Sequence, residues 1–119
     1  MKLKLANSFS LQMLPKYKRA WDIAVTEFDS KVIKQIINNR GTLAGEVLES
    51  YIGHADTANV LSKILDMPIP VNRQNIELGH DTNLIVAQYS GGRLPEGATE
   101  LPEGAEFKFY FVSLIPDVE

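Results

Sequence analysis

The chain has 119 residues, of which 45% are apolar and 23% charged, an ordinary composition for a single globular domain spanning residues 1–119. It contains no cysteine, which excludes disulfides, cysteine-ligated metals and thiol nucleophiles, and it has no apolar run long enough to predict a membrane span. The formal net charge is −3 and is unevenly placed: residues 1–93 carry 11 Lys/Arg against 9 Asp/Glu, and residues 94–119 carry 1 against 6. A weakly acidic chain is a poor ligand for duplex DNA, whose non-specific affinity comes from many Lys/Arg–phosphate contacts, but it can still bind a small anion.

The first third of the chain predicts two strands and a helix. The N-terminal residues alternate polar and apolar side chains and lack the apolar core of a signal peptide, so we expect them to form a strand of the fold. The predicted elements are a strand over residues 2–9, a basic loop over 15–19, a strand over 20–28 and a helix over 31–38. Asp29 or Ser30 can cap this helix, and Asn39-Arg40-Gly41 is typical of a helix end.

The segment YIGHADTANVLSKIL, residues 51–65, predicts the end of a strand followed directly by a helix. The strand is expected over residues 45–52, and Gly53 permits the positive φ or close backbone approach that a sharp turn often needs. Asp56 or Thr57 can cap the helix by accepting a hydrogen bond from a free backbone N–H. Four apolar residues at helical spacing give the helix one buried face: Val60, Leu61, Ile64 and Leu65.

His54 is the candidate acid or base of the chain. It is predicted to lie beside a helix N-terminus, where unpaired N–H groups and the helix dipole attract anions such as phosphate. Imidazole is the side chain best suited to proton transfer near neutral pH, so this position is suited to phosphodiester chemistry. The structural alternative is a polar surface or capping residue. The other histidine, His80, precedes Asp81 in a polar turn and is expected to be solvated rather than catalytic.

The second half of the chain predicts two more strands, over residues 82–89 and 107–115, whereas residues 71–78 could form a short helix. The connector SGGRLPEG, residues 90–97, has two adjacent glycines, which suit a mobile loop or a close approach of backbone to a ligand. Leu-Pro-Glu-Gly occurs twice, at 94–97 and 101–104, and Pro-Glu-Gly suits a β-turn with proline at its second position. Residues 116–119 are expected to be a frayed acidic tail.

These elements predict an α/β fold with a mixed sheet of about five strands and flanking helices. Helices alternate with several strands, as in parallel sheets, but some connections are too short for a parallel crossover. The sequence offers no cluster of metal ligands, no phosphate-binding or dinucleotide-binding glycine motif and no nucleophile elbow.

The polar and charged residues left after these exclusions fit metal-free RNA cleavage, in which the ribose 2′-OH is an internal nucleophile. Such an enzyme must align the 2′-OH with the phosphate, stabilise charge on the phosphate and protonate the departing 5′-oxygen. The polar and charged candidates for these tasks are His54, Arg73, Arg93, Asn7, Gln88 and Glu96.

Four blocks of the sequence together resemble the viral ring nucleases, the type III anti-CRISPR family found in archaeal viruses, bacteriophages and some integrated elements. The blocks are NSFSLQM at 7–13, IGHADTA at 52–58, IPVNR at 69–73 and RLPEG at 93–97. The similarity runs from about Lys2 to Phe111. The second block and its distance to Asn-Arg are the specific part, whereas the first and last blocks are weaker when taken alone.

The resemblance implies a homodimeric α/β protein that binds cyclic tetra-adenylate, the second messenger of type III CRISPR systems. It implies cleavage without metal or cofactor to linear di-adenylate ending in a 2′,3′-cyclic phosphate, in the cytoplasm of the infected or carrying prokaryotic cell. A two-fold ligand suits a two-fold dimer in which each subunit supplies one histidine to one scissile phosphate.

The resemblance also assigns roles to individual residues. His54 matches the family's catalytic histidine, the general acid. Arg93 and Glu96 match a mobile loop that closes over the ligand, and Glu96 is chosen over Glu103 because it follows Arg93 closely. Glu96 would orient His54 or the ribose. The positions that match ligand contacts are Asn7, Ser10, Arg73 and Gln88, with Gln12 standing where many relatives carry asparagine.

Two other functions are compatible with the sequence. One is a non-catalytic module that sequesters or senses the cyclic nucleotide, although the presence of His54 argues against it. The other is a structural or DNA-binding viral protein, against which the acidic balance and the lack of a basic helix both argue.

Overall fold

The computed structural model describes residues 2–41 and 48–116, with the backbone alone for residues 39–41. The described part contains five strands, two α-helices and one short 3₁₀ turn at Leu11–Met13. In chain order the elements are β1 (Lys2–Ala6), β2 (Ile23–Phe28), α1 (Ser30–Gly41), β3 (Leu48–Ser50), α2 (Ala55–Leu65), β4 (Thr82–Ser90) and β5 (Glu106–Leu114).

The five strands form one mixed sheet in the order β2-β5-β4-β1-β3. The short strand β1 is parallel to both of its neighbours, β3 and β4, while β5 is antiparallel to both β4 and β2. This confirms the prediction of a mixed five-stranded sheet with flanking helices. Both helices lie in the chain between β2 and β4, where the parallel part of the sheet requires crossover connections.

The centre of the sheet is buried on both faces, as strand β4 shows, since its residues 82–87 are all buried. The edge strand β2 is more open, and its Val25 is exposed. Ile85 and Ala87 point to the face covered by α1 and α2, where the fully buried Ile33 and Leu61 pack against them in one apolar cluster. Leu84 and Val86 belong to a second cluster on the opposite face. That face is covered by chain that contains no α-helix, and the residues packed there include Ile76, Leu78, Trp21 and, from the 3₁₀ turn, Met13.

Residues 71–78 do not form the short helix considered from the sequence. Val71 forms an isolated parallel bridge with Ile52, two residues after β3, and Leu78 donates its backbone N–H to the carbonyl of Met13 at 2.8 Å. Ile76 and Leu78 are buried under the sheet, so tertiary contacts stretch the segment along the second apolar cluster.

Several predicted boundaries also shift. Strand β1 ends at Ala6 rather than residue 9, and β2 begins at Ile23 rather than residue 20. Helix α1 is longer than predicted and is capped by Asp29, whose carboxylate accepts the N–H of Val32 at 2.9 Å, as expected. The predicted strand start at residues 45–47 and the end of the frayed tail at 117–119 lie outside the described residues. None of the described helices is long and apolar enough to cross a membrane.

Candidate functional site

His54 is the N-cap residue of α2, with an extended backbone at φ −129° and ψ 136°. Its carbonyl accepts the first intrahelical hydrogen bond, from the N–H of Ala58 at 3.0 Å, but its side chain makes no capping bond. The prediction that Asp56 or Thr57 caps the helix is therefore wrong, because both residues lie inside its first turn. The imidazole is exposed beside N–H groups at the helix start that have no intrahelical partner.

Gly53 and Arg73 fix the approach to this helix. The Nε–H of Arg73 donates to the carbonyl of Gly53 at 2.6 Å, so the guanidinium lies against the residue that precedes His54. Gly53 does not have the positive φ considered from the sequence, unlike Gly91 and Gly97. A Cβ on Gly53 would lie 3.5 Å from Cγ of Arg73, an ordinary contact. The backbone at this turn therefore does not require glycine.

A cavity of about 770 Å³ opens in front of His54. Five residues predicted from the sequence line it: Asn7, His54, Gln88, Arg93 and Glu96. Its remaining lining residues are Asp56, Thr57, Tyr89, Leu94 and Pro95. His54 and the loop that the resemblance assigned to the site therefore face one space, although they are about forty residues apart in the chain.

A second cavity, of about 560 Å³, adjoins the first at Asn7, which lines both. Ser10 and Gln12 line this second cavity, and Ser10 also accepts the backbone N–H of Gln12 at 3.2 Å. The other polar side chains around it are Ser8, Lys16, Tyr51, Gln74 and Asn75. Five of the six predicted ligand contacts are thus divided between two neighbouring cavities that share Asn7, whereas Arg73 lines neither of them.

The two Leu-Pro-Glu-Gly copies each form a β-turn in the connection between β4 and β5. The carbonyl of Pro95 accepts the N–H of Ala98 at 3.1 Å, so proline occupies the first position of this turn. The prediction from the sequence, proline at the second position, is wrong. Gly97 takes the third position with φ +78°. Glu96 lines the first cavity, whereas Glu103 of the second copy lines neither of the two cavities.

The second histidine lies elsewhere. Nε2 of His80 is 2.9 Å from the hydroxyl of Tyr17, and its ring centroid is 5.9 Å from that of Trp21. His80 is exposed but partnered, so the expectation of a merely solvated side chain is incomplete. It lines neither of the two cavities. Within residues 2–41 and 48–116, no group of three or more metal-ligating side chains comes together.

The family model described as STIV B116-like matches residues 3–111. The chain belongs to the STIV B116-like family. Among solved structures, B116 of Sulfolobus turreted icosahedral virus (STIV) matches with a TM-score of 0.76 at 24% sequence identity, over 95% of this chain and 99% of that chain. That likeness shows the fold, and the family takes its name from this viral protein. Among curated protein sequences, none matches.

Sequence reasoning missed two side chains at the site of this STIV B116-like chain. Asp56 was interpreted as a helix cap and Tyr89 as a strand residue, yet both line the cavity and both hydrogen-bond the loop that follows β4. Asp56 accepts the N–H of Gly97, 41 positions away in the sequence. The available signal was weak: an acidic residue two positions after the histidine, and a tyrosine just before the double glycine.

Proposed function

We propose that this STIV B116-like protein is a metal-independent ring nuclease. It would cleave cyclic tetra-adenylate to linear di-adenylate with a 2′,3′-cyclic phosphate and so suppress type III CRISPR signalling inside the infected or carrying cell. The observation that supports this most is the shared cavity, in which His54 faces the same space as Arg93, Glu96 and Gln88. His54 stands at the start of α2, and its side chain makes no capping bond there.

The proposed reaction transfers one proton at the leaving group. The ribose 2′-OH attacks the adjacent phosphorus, the bond from phosphorus to the 5′-oxygen breaks, and His54 as imidazolium gives its proton to that oxygen. The proton of the 2′-OH passes to water. A positioned acid contributes roughly 10²–10⁴-fold to such a step.

The cations of the proposed site are Arg73 and Arg93. Arg73 is held by the carbonyl of Gly53, and Arg93 is exposed on the loop that lines the cavity. Guanidinium groups suit phosphate because their planar fork donates two parallel hydrogen bonds. Together with the N–H groups at the start of α2, they would stabilise charge on the phosphate as the 2′-oxygen attacks.

The second cavity would take part of the nucleotide ring beyond the scissile phosphate. The amide and hydroxyl side chains that line it offer both donors and acceptors, which can pair with the hydrogen-bonding edge of adenine. Asn7 joins this cavity to the one in front of His54. A homodimer would bring two such sites to one ring, each with its own His54.

The proposal is tested by incubating the protein with cyclic tri-, tetra- and hexa-adenylate in excess EDTA and identifying the products by mass spectrometry. We expect linear di-adenylate with a 2′,3′-cyclic phosphate from the tetramer. H80A is the matched control, because His80 lies outside both cavities and its loss should leave the rate unchanged. Loss of activity in EDTA would instead show a metal requirement.

One observation favours a second function, binding without turnover. The imidazole of His54 makes no capping bond to α2, and no other residue in the described part of the chain hydrogen-bonds it, so none of these residues orients it. A protein that sequesters or senses the cyclic nucleotide would need only the cavities and the arginines. Stoichiometric binding with no product after hours at high protein concentration would favour this function over the nuclease.

A further inference from the structure

The connection between β4 and β5 crosses the first cavity and is held at both ends of its Arg93–Glu96 segment. Before the segment, the hydroxyl of Tyr89 donates to the carbonyl of Gly92. After it, the N–H of Gly97 donates to a carboxylate oxygen of Asp56 at 2.9 Å. The four residues between these two bonds include both loop side chains assigned to the site.

Asp56 is an unexpected residue for an anion-binding cavity, because its negative charge opposes that of a phosphate. Two features account for it. In the first turn of α2, a carboxylate interacts favourably with the helix dipole. Its oxygen is also engaged by a loop N–H, and a hydrogen bond to an ionised acceptor is stronger than one between neutral groups. The carboxylate is half-buried, with one oxygen directed at the loop.

We propose that Asp56 is a positioning residue that sets the loop over the active cavity. By fixing Gly97, it holds Glu96 and Arg93 at the rim of the space in front of His54. The effect on catalysis rests on the proposed function, but the anchoring of the loop does not.

The duplicated sequence supports this assignment. Both copies form the same turn, since Ala98 bonds Pro95 and Ala105 bonds Pro102, each at 3.1 Å. The third-position glycines also match, with φ +78° at Gly97 and +81° at Gly104. The turn is therefore a local property of the sequence. What distinguishes the first copy is the bond from Gly97 to Asp56, and this bond is what places the first turn at the cavity.

Helix α2 provides a second attachment further along the same connection. Lys63 donates to the carboxylate of Glu100, and both side chains are exposed. Asp56 and Lys63 are seven residues apart, about two helical turns, so they lie on one side of α2. The chain from Gly97 to Glu100 thus follows this side of the helix, and Asp56 marks the point where the chain leaves the cavity and meets the helix.

The duplication also supplies a test that needs no mutation. In the unliganded wild-type protein, the amide hydrogen of Gly97 should exchange at least about tenfold more slowly than that of Gly104, which occupies the same position in the second turn. Equal exchange rates at the two glycines would overturn the anchor.

Two variants then test the role of the acceptor. In D56A the loop loses its anchor, so trypsin should cleave after Arg93 about tenfold faster than in wild type, measured as appearance of the 1–93 fragment. In D56N the amide oxygen can still accept the N–H of Gly97, so cleavage should stay within about threefold of wild type. K63A is the control, because it removes the second attachment and leaves the Gly97 bond in place. Circular dichroism melting confirms that each variant is folded.

The same variants, assayed for single-turnover cleavage of cyclic tetra-adenylate, link the anchor to catalysis. We expect a loss of about tenfold in D56A, recovery in D56N and no change in K63A. Equal defects in D56A and D56N, or wild-type behaviour of D56A in both assays, would overturn the proposal. If the wild-type protein does not cleave the ring, the proposed function fails, while amide exchange and trypsin cleavage still decide whether Asp56 anchors the loop.

Discussion

Replacing Arg73 with lysine separates the charge of this side chain from its geometry. The lysine keeps the positive charge but loses the Nε–H that donates to the carbonyl of Gly53 at 2.6 Å, and it cannot present a planar fork to a phosphate. A hydrogen bond from a charged group contributes about 1.5–3 kcal/mol, and the exposure of Arg73 places it at the lower end of that range. Since about 1.4 kcal/mol corresponds to a factor of ten, R73K should slow single-turnover cleavage about tenfold.

The assay compares R73K and R73A with R19K, a matched change at an exposed arginine in the loop before β2. R73A should be slower than R73K, because it also removes the charge that would neutralise the phosphate. R19K should cleave at the wild-type rate. A rate for R73K within twofold of wild type would refute the argument that cleavage depends on the planar guanidinium of Arg73 and its bond to Gly53. An equal loss in R19K would show that the effect is general electrostatics.

The remaining predictions use the duplicated turn, the core and the surface ion pair. E96Q should slow cleavage of cyclic tetra-adenylate about tenfold or more while E103Q leaves it unchanged, because only the first of these glutamates lines the cavity; equal effects in a rate assay would contradict this. L61A should lower the free energy of unfolding by about 2–5 kcal/mol, measured by urea titration, because Leu61 lies on α2 and is fully buried against the sheet. Lys63 lowers the pKa of Glu100 below its usual value of 4.5, by its hydrogen bond and its charge. The stability that this pair contributes is therefore present above the usual carboxyl pKa and is lost as the pH falls through the lowered pKa of Glu100. The melting temperatures of K63A and wild type should therefore converge in acid.

The sheet could be predicted from the sequence because its strands carry their own patterns. Strand β4 is a β-branched and apolar run, and β5 alternates aromatic residues, so their extents were predicted within one residue. Helix α2 was predicted for a similar reason, since Val60, Leu61 and Leu65 recur at helical spacing and all are buried.

Features that depend on distant contacts could not be predicted. Residues 71–78 were ambiguous in the sequence, and the structure stretches them along the second apolar cluster. Aspartate is a common residue at helix caps, but the N-cap of α2 is His54. The carboxylate of Asp56 accepts the N–H of Gly97 instead. Local propensity carries no information about a partner 41 residues away.

The site itself was predicted through the resemblance more than through physics. Composition and spacing singled out His54 and excluded several metal and nucleotide motifs, but they gave no reason for Ser10 or Gln12 to lie near it. The structure places seven of the eight predicted side chains on two cavities joined by Asn7, whereas Arg73 lines neither cavity and bonds the carbonyl of Gly53. All eight side chains are exposed. Their grouping is a geometric result, and their roles in binding and cleavage stay predictions.

Cleavage and binding by H54A, measured side by side, test the central claim most directly. Wild-type protein and H54A are each mixed with cyclic tetra-adenylate in EDTA, and products are followed by chromatography while binding is followed by calorimetry. The account predicts that H54A binds the ring with an affinity close to that of wild type and forms no di-adenylate. Turnover by H54A at the full wild-type rate would contradict the acid role of His54.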